Sequence, residues 1–468
     1  MTDNRFGVTE GQLVRLVREA LRSGGSWCDL YFEDTVYFDL LLRDSQVSSG
    51  GYHEDYGCGV RVLDGEKTGY AYSESTRMES LLDAARAAAS IASRSGEAAP
   101  PLGVTPVSAA PRYSQAVDWR RAEAASFVPM LEKIEARIRA LDSRVTKVTA
   151  MLSWSVANIM MYNSLGELTS DCKPLGSVSV TTVFKVGDRV ENNRVSRSFR
   201  RGAEMFDDAL VEELVRDSVK GVDAMFEARR PKGGKMSVVM AAGASGILLH
   251  EAMGHAFEAD FNRKGQSVFE GRIGRKICRR GINIVDDGTL QGNRGACTFD
   301  DEGVAGQKTY MVTDGVLTSY LHDRISASFY GVAPTGNGRR ESFRYNPIPR
   351  MRATYMENGS DGTLSDLISG VRKGIYVDQF ANGQVKIGEG DFTFYVKSGA
   401  LIENGRLTMP VKDINIIGNG PRALADIVAV GSDLKIDNGT WTCGKEQSVP
   451  VSCGIPSVLV KGLTVGGN

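Results

Sequence analysis

"GILLHEAMGHAFEADF" (residues 246–261) carries two of the four histidines of this 468-residue chain. It reads as a helix over about residues 244–260. Beyond it the sequence changes character and becomes mostly Gly-rich strand and turn. Hairpin signals recur there, at "DDGT" (286–289), "TDGV" (313–316), "ENGR" (403–406) and "DNGT" (437–440). "TLSDLISGVRKG" (363–374) is a helical interruption, and "PRALADIVAVG" (421–431) a short second one. The C-terminal part is therefore expected to be mostly β, with the histidine helix near its start.

Upstream, helices and strands come in a repeating order. Thr9 reads as an N-cap, followed by Leu13, Leu16, Val17, Ala20 and Leu21 on one face before Gly24 and Gly25. "CDLYFEDTVYFDLLLRD" (28–44) and "GCGVRVLDGEKTGYAYS" (57–73) are hairpin strands, and an Ala-rich helix follows. "GEAAPPLGVTPVSAAPRY" (96–113), with four prolines, reads as a linker or a surface crossing. A helix over about residues 118–141, bent or restarted near Pro129, opens a second round of strands joined across "NSLGE" (163–167). An amphipathic helix at 207–228 closes it. Helix, strands, helix twice over predicts an internally duplicated α+β unit. With "RRPKGGK" (229–235) as the junction, the expected domains are an α+β domain at 1–230 and a β-rich domain at 231–468.

Composition narrows the function classes. A hydrophobic content of 42% supports a sizeable core, and a net charge of -1 gives no reason to expect nucleic acid or acidic lipid as a partner. The basic run "NNRVSRSFRRG" (192–202) is short and has only Phe199 among it. No stretch has the roughly 18 apolar residues of a membrane span, and the N-terminus lacks the pattern of a signal peptide. Seven scattered cysteines without a CxxC pair suit reduced thiols. The expectation is a soluble, cytoplasmic protein.

The spacing of His250 and His255 poses the chemical question. On a regular helix, residues five apart are rotated by roughly 140° and could not share an ion. A π-bulge would return them to one side, and Gly254 lies where a side chain would crowd it. Two imidazoles with a third protein ligand make a catalytic zinc site, and Glu251 is placed to act as general base. The plainer reading is a buried helix with two hydrogen-bonded histidines. His53, His322, Cys443 and Cys453 all stand as third ligands. Cys443 stands out by its setting, after a turn and before Gly444, although a lone cysteine is more often a small buried hydrophobe.

Several stretches together resemble the TldD/PmbA family, in its TldD branch. They are "LLHEAMGHAFEADFNRKGQSVF" (248–269), "DDGT" with "DDEGVAGQ" (300–307), "PTGNGRRES" (334–342), "NGQVKIGEGDFTF" (382–394), "LIENGRL" (401–407), "DLKIDNGTWTCGKEQS" (433–448) and "LTVGG" (463–467). The resemblance implies a zinc-dependent peptidase with one zinc per chain, held by His250, His255 and the cysteine of the "CGKE" motif, Cys443. Glu251 would be its catalytic acid/base. It also implies a dimer, with a TldE/PmbA-like subunit or with a second copy, whose enclosed site takes unfolded or extended peptides. Peptide-precursor processing and protein turnover are the roles attached to the family, as is the older label modulator of DNA gyrase.

Arg339 and Arg340, on the Gly-rich "GNGRRES" loop, are candidates for binding an oxyanion or a peptide carboxylate, against the plainer reading of a solvated basic turn. Two rivals compete with the hydrolase reading. One is a non-catalytic interaction protein with a structural zinc; the other is a cysteine peptidase built on Cys443.

Overall fold

The computed structural model describes residues 4–92, 101–386 and 388–466. The N-terminal elements are α1 (Glu10–Ala20), β1 (Trp27–Arg43), β2 (Gln46–Asp64), β3 (Lys67–Ser73), α2 (Met78–Ala89) and a short β4 (Thr105–Pro106). After them come α3 (Val128–Leu141), β5 (Val145–Asn163), β6 (Glu167–Val186), β7 (Arg189–Phe199) and α4 (Asp208–Val219). Thr9 caps α1 in a reciprocal capping box with Gln12. Two short 3-10 turns precede α3, which starts with Pro129 in its first turn, where a missing N–H costs nothing.

All seven strands form one sheet, β3-β2-β1-β5-β6, with β4 and β7 both on the outer side of β6. β1 and β5 run antiparallel down the middle, with Val36 opposite Val156. Each half then repeats helix, three strands, helix, as an approximate two-fold through that pair requires. The duplication is architectural.

The strands are long, 17 residues in β1 and 20 in β6, because each serves two cores in turn. Alternate residues point to opposite faces of a strand. Leu30 and Phe32 pack under α1 and α2, and further along the same face Val36, Leu40 and Leu42 pack under α3 and α4. The other face receives the C-terminal half. There Tyr31, Ile159 and Met161 meet Phe299 and Phe343. Gly57 and Gly59 make room for this contact: a Cβ on Gly57 would lie 2.4 Å from the Phe343 ring, and one on Gly59 would lie 2.6 Å from the Phe343 carbonyl oxygen.

The proline-rich segment follows the surface-crossing alternative: its described residues 102–111 are exposed or half-buried. Its residues up to 100 lie outside those described, but Thr105–Pro106 pairs in parallel with Glu167–Leu168 as an edge strand.

In the C-terminal half, strands Gly234–Met240, Val458–Gly466, Ile414–Asn419, Asp391–Glu403 and Lys373–Lys386 pair in that order, and the last pairs back to Gly234–Met240. The ring is thereby closed into a barrel, which leaves no open edge among these strands. A second sheet of six strands holds Ile284–Asp287, Ala353–Met356 and Ser452–Ile455 at its centre. The helical segment from Gly246 to Phe257 is buried between barrel and sheet. Ile247, Leu249 and Met253 share one core with Val238, Ile375 and Phe394 on one side and Ile284, Met356 and Ile455 on the other. Close approach is built in, since a Cβ on Gly246 would lie 2.6 Å from the Gly454 backbone.

Two of the four hairpin signals behave as expected. Asp314-Gly315 and Asn404-Gly405 have positive φ and join paired strands. The other two do not make hairpins. Asp287 accepts from the Thr289 amide and Asp437 from the Gly439 amide, so each aspartate folds a local Asx turn instead.

The joint between the halves also holds buried charged groups. Arg61 bridges Asp29 at 2.5 Å and Glu302 at 2.6 Å, with its side chain fully buried. Glu33 accepts from the Phe343 amide at 2.7 Å and from the Thr35 hydroxyl. Burial pushes the Glu33 carboxyl from 4.5 up to about 7. A carboxyl raised on folding stabilises the fold while protonated, so its contribution is present below about 4.5 and is lost as pH rises through about 7. Glu33→Gln is expected to give a shallower fall of urea-unfolding stability between pH 5 and 8. The difference from wild type should reach on the order of 3 kcal/mol at the upper end. Equal slopes would show that Glu33 is not the group responsible.

Candidate metal centre

His250 opens a π turn, His250–Gly254, which follows an α-helical turn (Gly246–Leu249), and His255 opens the 3-10 turn after it (His255–Phe257). The His255 amide donates to the His250 carbonyl, the i to i−5 bond of a π turn. The wider turn returns both rings to one side, with centroids 5.2 Å apart and planes at 80°. Gly254 gives Met351 room across the core: a Cβ there would lie 2.2 Å from Met351 Sδ and would displace that side chain.

Cys443 comes from a two-stranded hairpin, Thr442–Lys445 with Gln447–Pro450, turned at Glu446 with φ 56°. Its Sγ lies 3.3 Å from His255 Nε2. The ligand atoms of His250, His255 and Cys443 all lie within 4.8 Å of one another, and all three residues are buried. Among the described residues this is the only such group of three or more His, Cys, Asp or Glu side chains. Both ring nitrogens of His250 are buried without a hydrogen-bond partner. Buried imidazole nitrogens normally have one, so a ligand set for a soft or borderline divalent ion fits these residues.

The surrounding charges are arranged in a chain. His255 Nδ1 faces Glu258 Oε2 at 2.9 Å; Lys445 Nζ donates to the same oxygen at 3.1 Å, to Asp260 at 2.8 Å and to the Pro349 carbonyl at 3.1 Å. Burial resists ionisation of Glu258, but Lys445 and His255 outweigh it and hold the carboxyl at about 2. Burial likewise works against a Cys443 thiolate, and the facing imidazoles of His250 and His255 overcome it, bringing the thiol to about 4. Burial disfavours a charged His255, yet Glu258 and Cys443 lift it to about 10. The Cys443 sulfur and the Glu258 carboxylate thus flank the His255 ring, and the positive charge they favour falls on it.

Three successive residues lock the two elements together. Pro349 offers its carbonyl to Lys445, and the Met351 amide donates to Glu258 Oε1 at 3.3 Å. Between them, the buried Arg350 guanidinium donates to the carbonyls of Cys443, Lys445 and Gln447 at 2.7, 3.0 and 2.8 Å. Neither Arg350 nor the Glu258–Lys445 pair stood out in the sequence reading. Two signals were available: Glu258 follows His255 by three, and Lys445 follows Cys443 by two.

Glu251 borders the cluster, with Oε2 4.0 Å from His255 Nε2 and its side chain 26% exposed. The other candidates lie elsewhere. His53 is exposed and stacks on Tyr37, and His322 is buried beside Ser326, where burial pushes it down to about 4. Cys453 sits in a core strand, where burial drives its thiol well above the usual range. Arg339 and Arg340 are not on an open loop; both are buried. Arg339 donates to the carbonyls of Met351 and Pro450, and Arg340 to that of Asp301 while lying over the Tyr31 ring. Burial costs each guanidinium its hydration, and the fold offsets part of this: Arg339 with the two carbonyls, Arg340 with the Asp301 carbonyl, the Tyr70 hydroxyl and the Asp29 carboxylate.

Comparison with known proteins adds the family. The sequence models described as PmbA/TldA metallopeptidase domain 1, central domain and C-terminal domain match residues 28–92, 117–226 and 233–467. A metalloprotease TldD homolog of Haemophilus influenzae is 37% identical over 94% of this chain and 93% of its own length. A zinc metalloprotease TldD homolog of Saccharolobus solfataricus is 29% identical over 72% of this chain and 71% of its own. The crystal structure of TldE from Thermococcus kodakarensis shares the fold, with a TM-score of 0.75 and 18% identity over 97% of this chain and all of that one. Three domain matches in chain order, together with near full-length identity to a TldD homolog, mean that the chain belongs to the PmbA/TldD metallopeptidase family.

Proposed function

We propose that this protein is a zinc peptidase that cuts unfolded or extended peptides, with His250, His255 and Cys443 holding one zinc per chain and Glu251 as general acid/base. The observation that carries the reading is the convergence of three ligand atoms within 4.8 Å, beside a partly open carboxylate. When bound, zinc would supply Lewis-acid polarisation of a water and of the scissile carbonyl. Glu251 Oε2 takes the proton from the attacking water and returns it to the leaving amine. His250, His255 and Cys443 are buried, which supports a substrate chain free of its own fold over a folded protein surface. An extended strand held by main-chain bonds would meet that need for many sequences; a peptide bound in helical form would sink this part.

The family membership and the TldE-like fold support a dimer with a TldE/PmbA-like subunit, or with a second copy. Seven free thiols support a reducing, cytoplasmic setting, and no helix among the described residues is long and apolar enough to cross a membrane. Peptide-precursor processing and turnover of unfolded protein are the roles proposed.

The test is digestion of an unfolded polypeptide beside the same polypeptide folded, alone and with a TldE-like subunit, before and after chelation. Cleavage of the unfolded form only, abolished by chelator and restored by zinc, is expected. One observation favours a second reading: Cys443 and His255 lie as close as a thiolate–imidazolium pair. A cysteine peptidase would survive chelation and be blocked by thiol alkylation. The partnerless His250 nitrogens favour the metal.

A further inference from the structure

Two elements far apart in sequence must keep an atomic spacing at this site: His255 and Cys443 are 188 residues apart and 3.3 Å distant. A metal ion can reward that spacing only once it is bound. We propose that Glu258 and Lys445 form a buried clasp that sets the spacing beforehand, which makes both positioning residues for the zinc site. The inference rests on the metal reading above.

The geometry is a ladder of two rungs. Cys443 and Lys445 lie two apart on one strand and so share a face. His255 and Glu258 are three apart on the opposing turn. One rung is Cys443 to His255; the other is Lys445 to Glu258 at 3.1 Å. A cross-link ties them, because Glu258 Oε2 also holds His255 Nδ1 at 2.9 Å. That bond sets the ring's orientation and directs Nε2 toward Cys443. A carboxylate behind a ligating imidazole is a known way to orient the ring and raise its basicity.

The clasp has little slack. Lys445 has three acceptors within 3.1 Å for its three protons, and its ammonium lies 4.2 Å from the Phe261 ring centroid. Glu258 is 0% exposed and receives the Met351 amide on its second oxygen. Asp260 touches Lys445 but neither histidine, so it should steady the clasp without orienting a ligand.

The test measures zinc affinity by competition with a chromophoric chelator, with circular dichroism and the chelated protein's Tm as folding controls. Glu258→Gln keeps the shape and loses the charge; its zinc affinity is expected to fall roughly 10- to 100-fold. Cobalt substitution should still show a thiolate charge-transfer band, shifted from wild type. Asp260→Asn should change affinity less than about threefold, because the carboxylate behind the imidazole is untouched. Wild-type affinity in Glu258→Gln overturns the clasp, as does an equal loss in Asp260→Asn, which would point to a diffuse charge effect. Should Glu258→Gln not fold, Lys445→Arg carries the test. Its planar fork cannot reproduce the three contacts, so affinity should fall at least about fivefold; unchanged affinity overturns the proposal. Wild type that binds no zinc removes the metal reading itself, a separate outcome from the failure of the clasp.

Discussion

Cys443→Ala is expected to purify without stoichiometric zinc, while Cys453→Ala keeps the wild-type content. The two cysteines are ten residues apart and both buried, so exposure does not separate them. Surroundings do. Cys443 faces two imidazoles that favour its thiolate; Cys453 sits in the core strand Ser452–Ile455, where burial favours the neutral thiol. Placement separates them too: the Cys443 sulfur lies within 4.8 Å of the ligand atoms of His250 and His255, and Cys453 belongs to no such group among the described residues. Structural zinc sites with four ligands bind with roughly 10–16 kcal/mol, which apportions about 3 kcal/mol to each ligand. Loss of Cys443 should then weaken zinc binding by two to three orders of magnitude, on the order of 1.4 kcal/mol per tenfold. The measurement is metal content after gel filtration, with affinity from chelator competition. Full retention of zinc in Cys443→Ala would show that the ion sits elsewhere or is held by other groups.

Much of the architecture was legible because it rests on local rules. The capping box at Thr9, the Asp-Gly and Asn-Gly turns at 314–315 and 404–405, and the restart of α3 at Pro129 each depend on a few adjacent residues. The π turn was legible for a different reason: two histidines five apart make sense as partners only if the helix widens between them. What stayed hidden depends on distant partners. The β1–β2 turn has no glycine, yet Asp44 and Ser45 adopt φ of 47° and 61°. It is held because Val148 and Arg139 donate to the Asp44 carboxylate and the Ser45 amide donates to Glu135. Arg339 and Arg340 look like a solvated pair in sequence, and only the folded chain supplies the carbonyls that enclose them. Lys445 and Glu258 are 187 residues apart, so neither could be recognised from the other. Of the site residues named from the sequence, His250, His255 and Cys443 come together with Glu251 at their border, whereas Arg339 and Arg340 are engaged elsewhere; the groups that hold the cluster in place belong to the tertiary structure.

Glu251→Gln is expected to separate catalysis from metal binding. Three carboxylates lie along this segment, Glu251, Glu258 and Asp260, but they differ in freedom. Glu258 and Asp260 are engaged with Lys445, whereas Glu251 has no hydrogen bond among the described residues and keeps a partly exposed side chain. A proton acceptor must reach water and substrate, so Glu251 alone is suited to that role. Glutamine keeps its size and removes the base. General-base removal typically costs about 10²- to 10⁴-fold, or roughly 3–5 kcal/mol of barrier, and here it should appear in kcat with KM little changed. Zinc content should equal wild type. Both quantities are needed, because the Glu251 carboxylate lies 4.0 Å from His255 Nε2 and could be a fourth ligand of a structural site. In that case Glu251→Gln would release zinc, and the interaction-protein reading would gain what the hydrolase reading loses. Retained zinc with unchanged turnover would instead show that the proton passes through another group. Lost turnover on a fully loaded protein is the result that makes Glu251 the catalytic base.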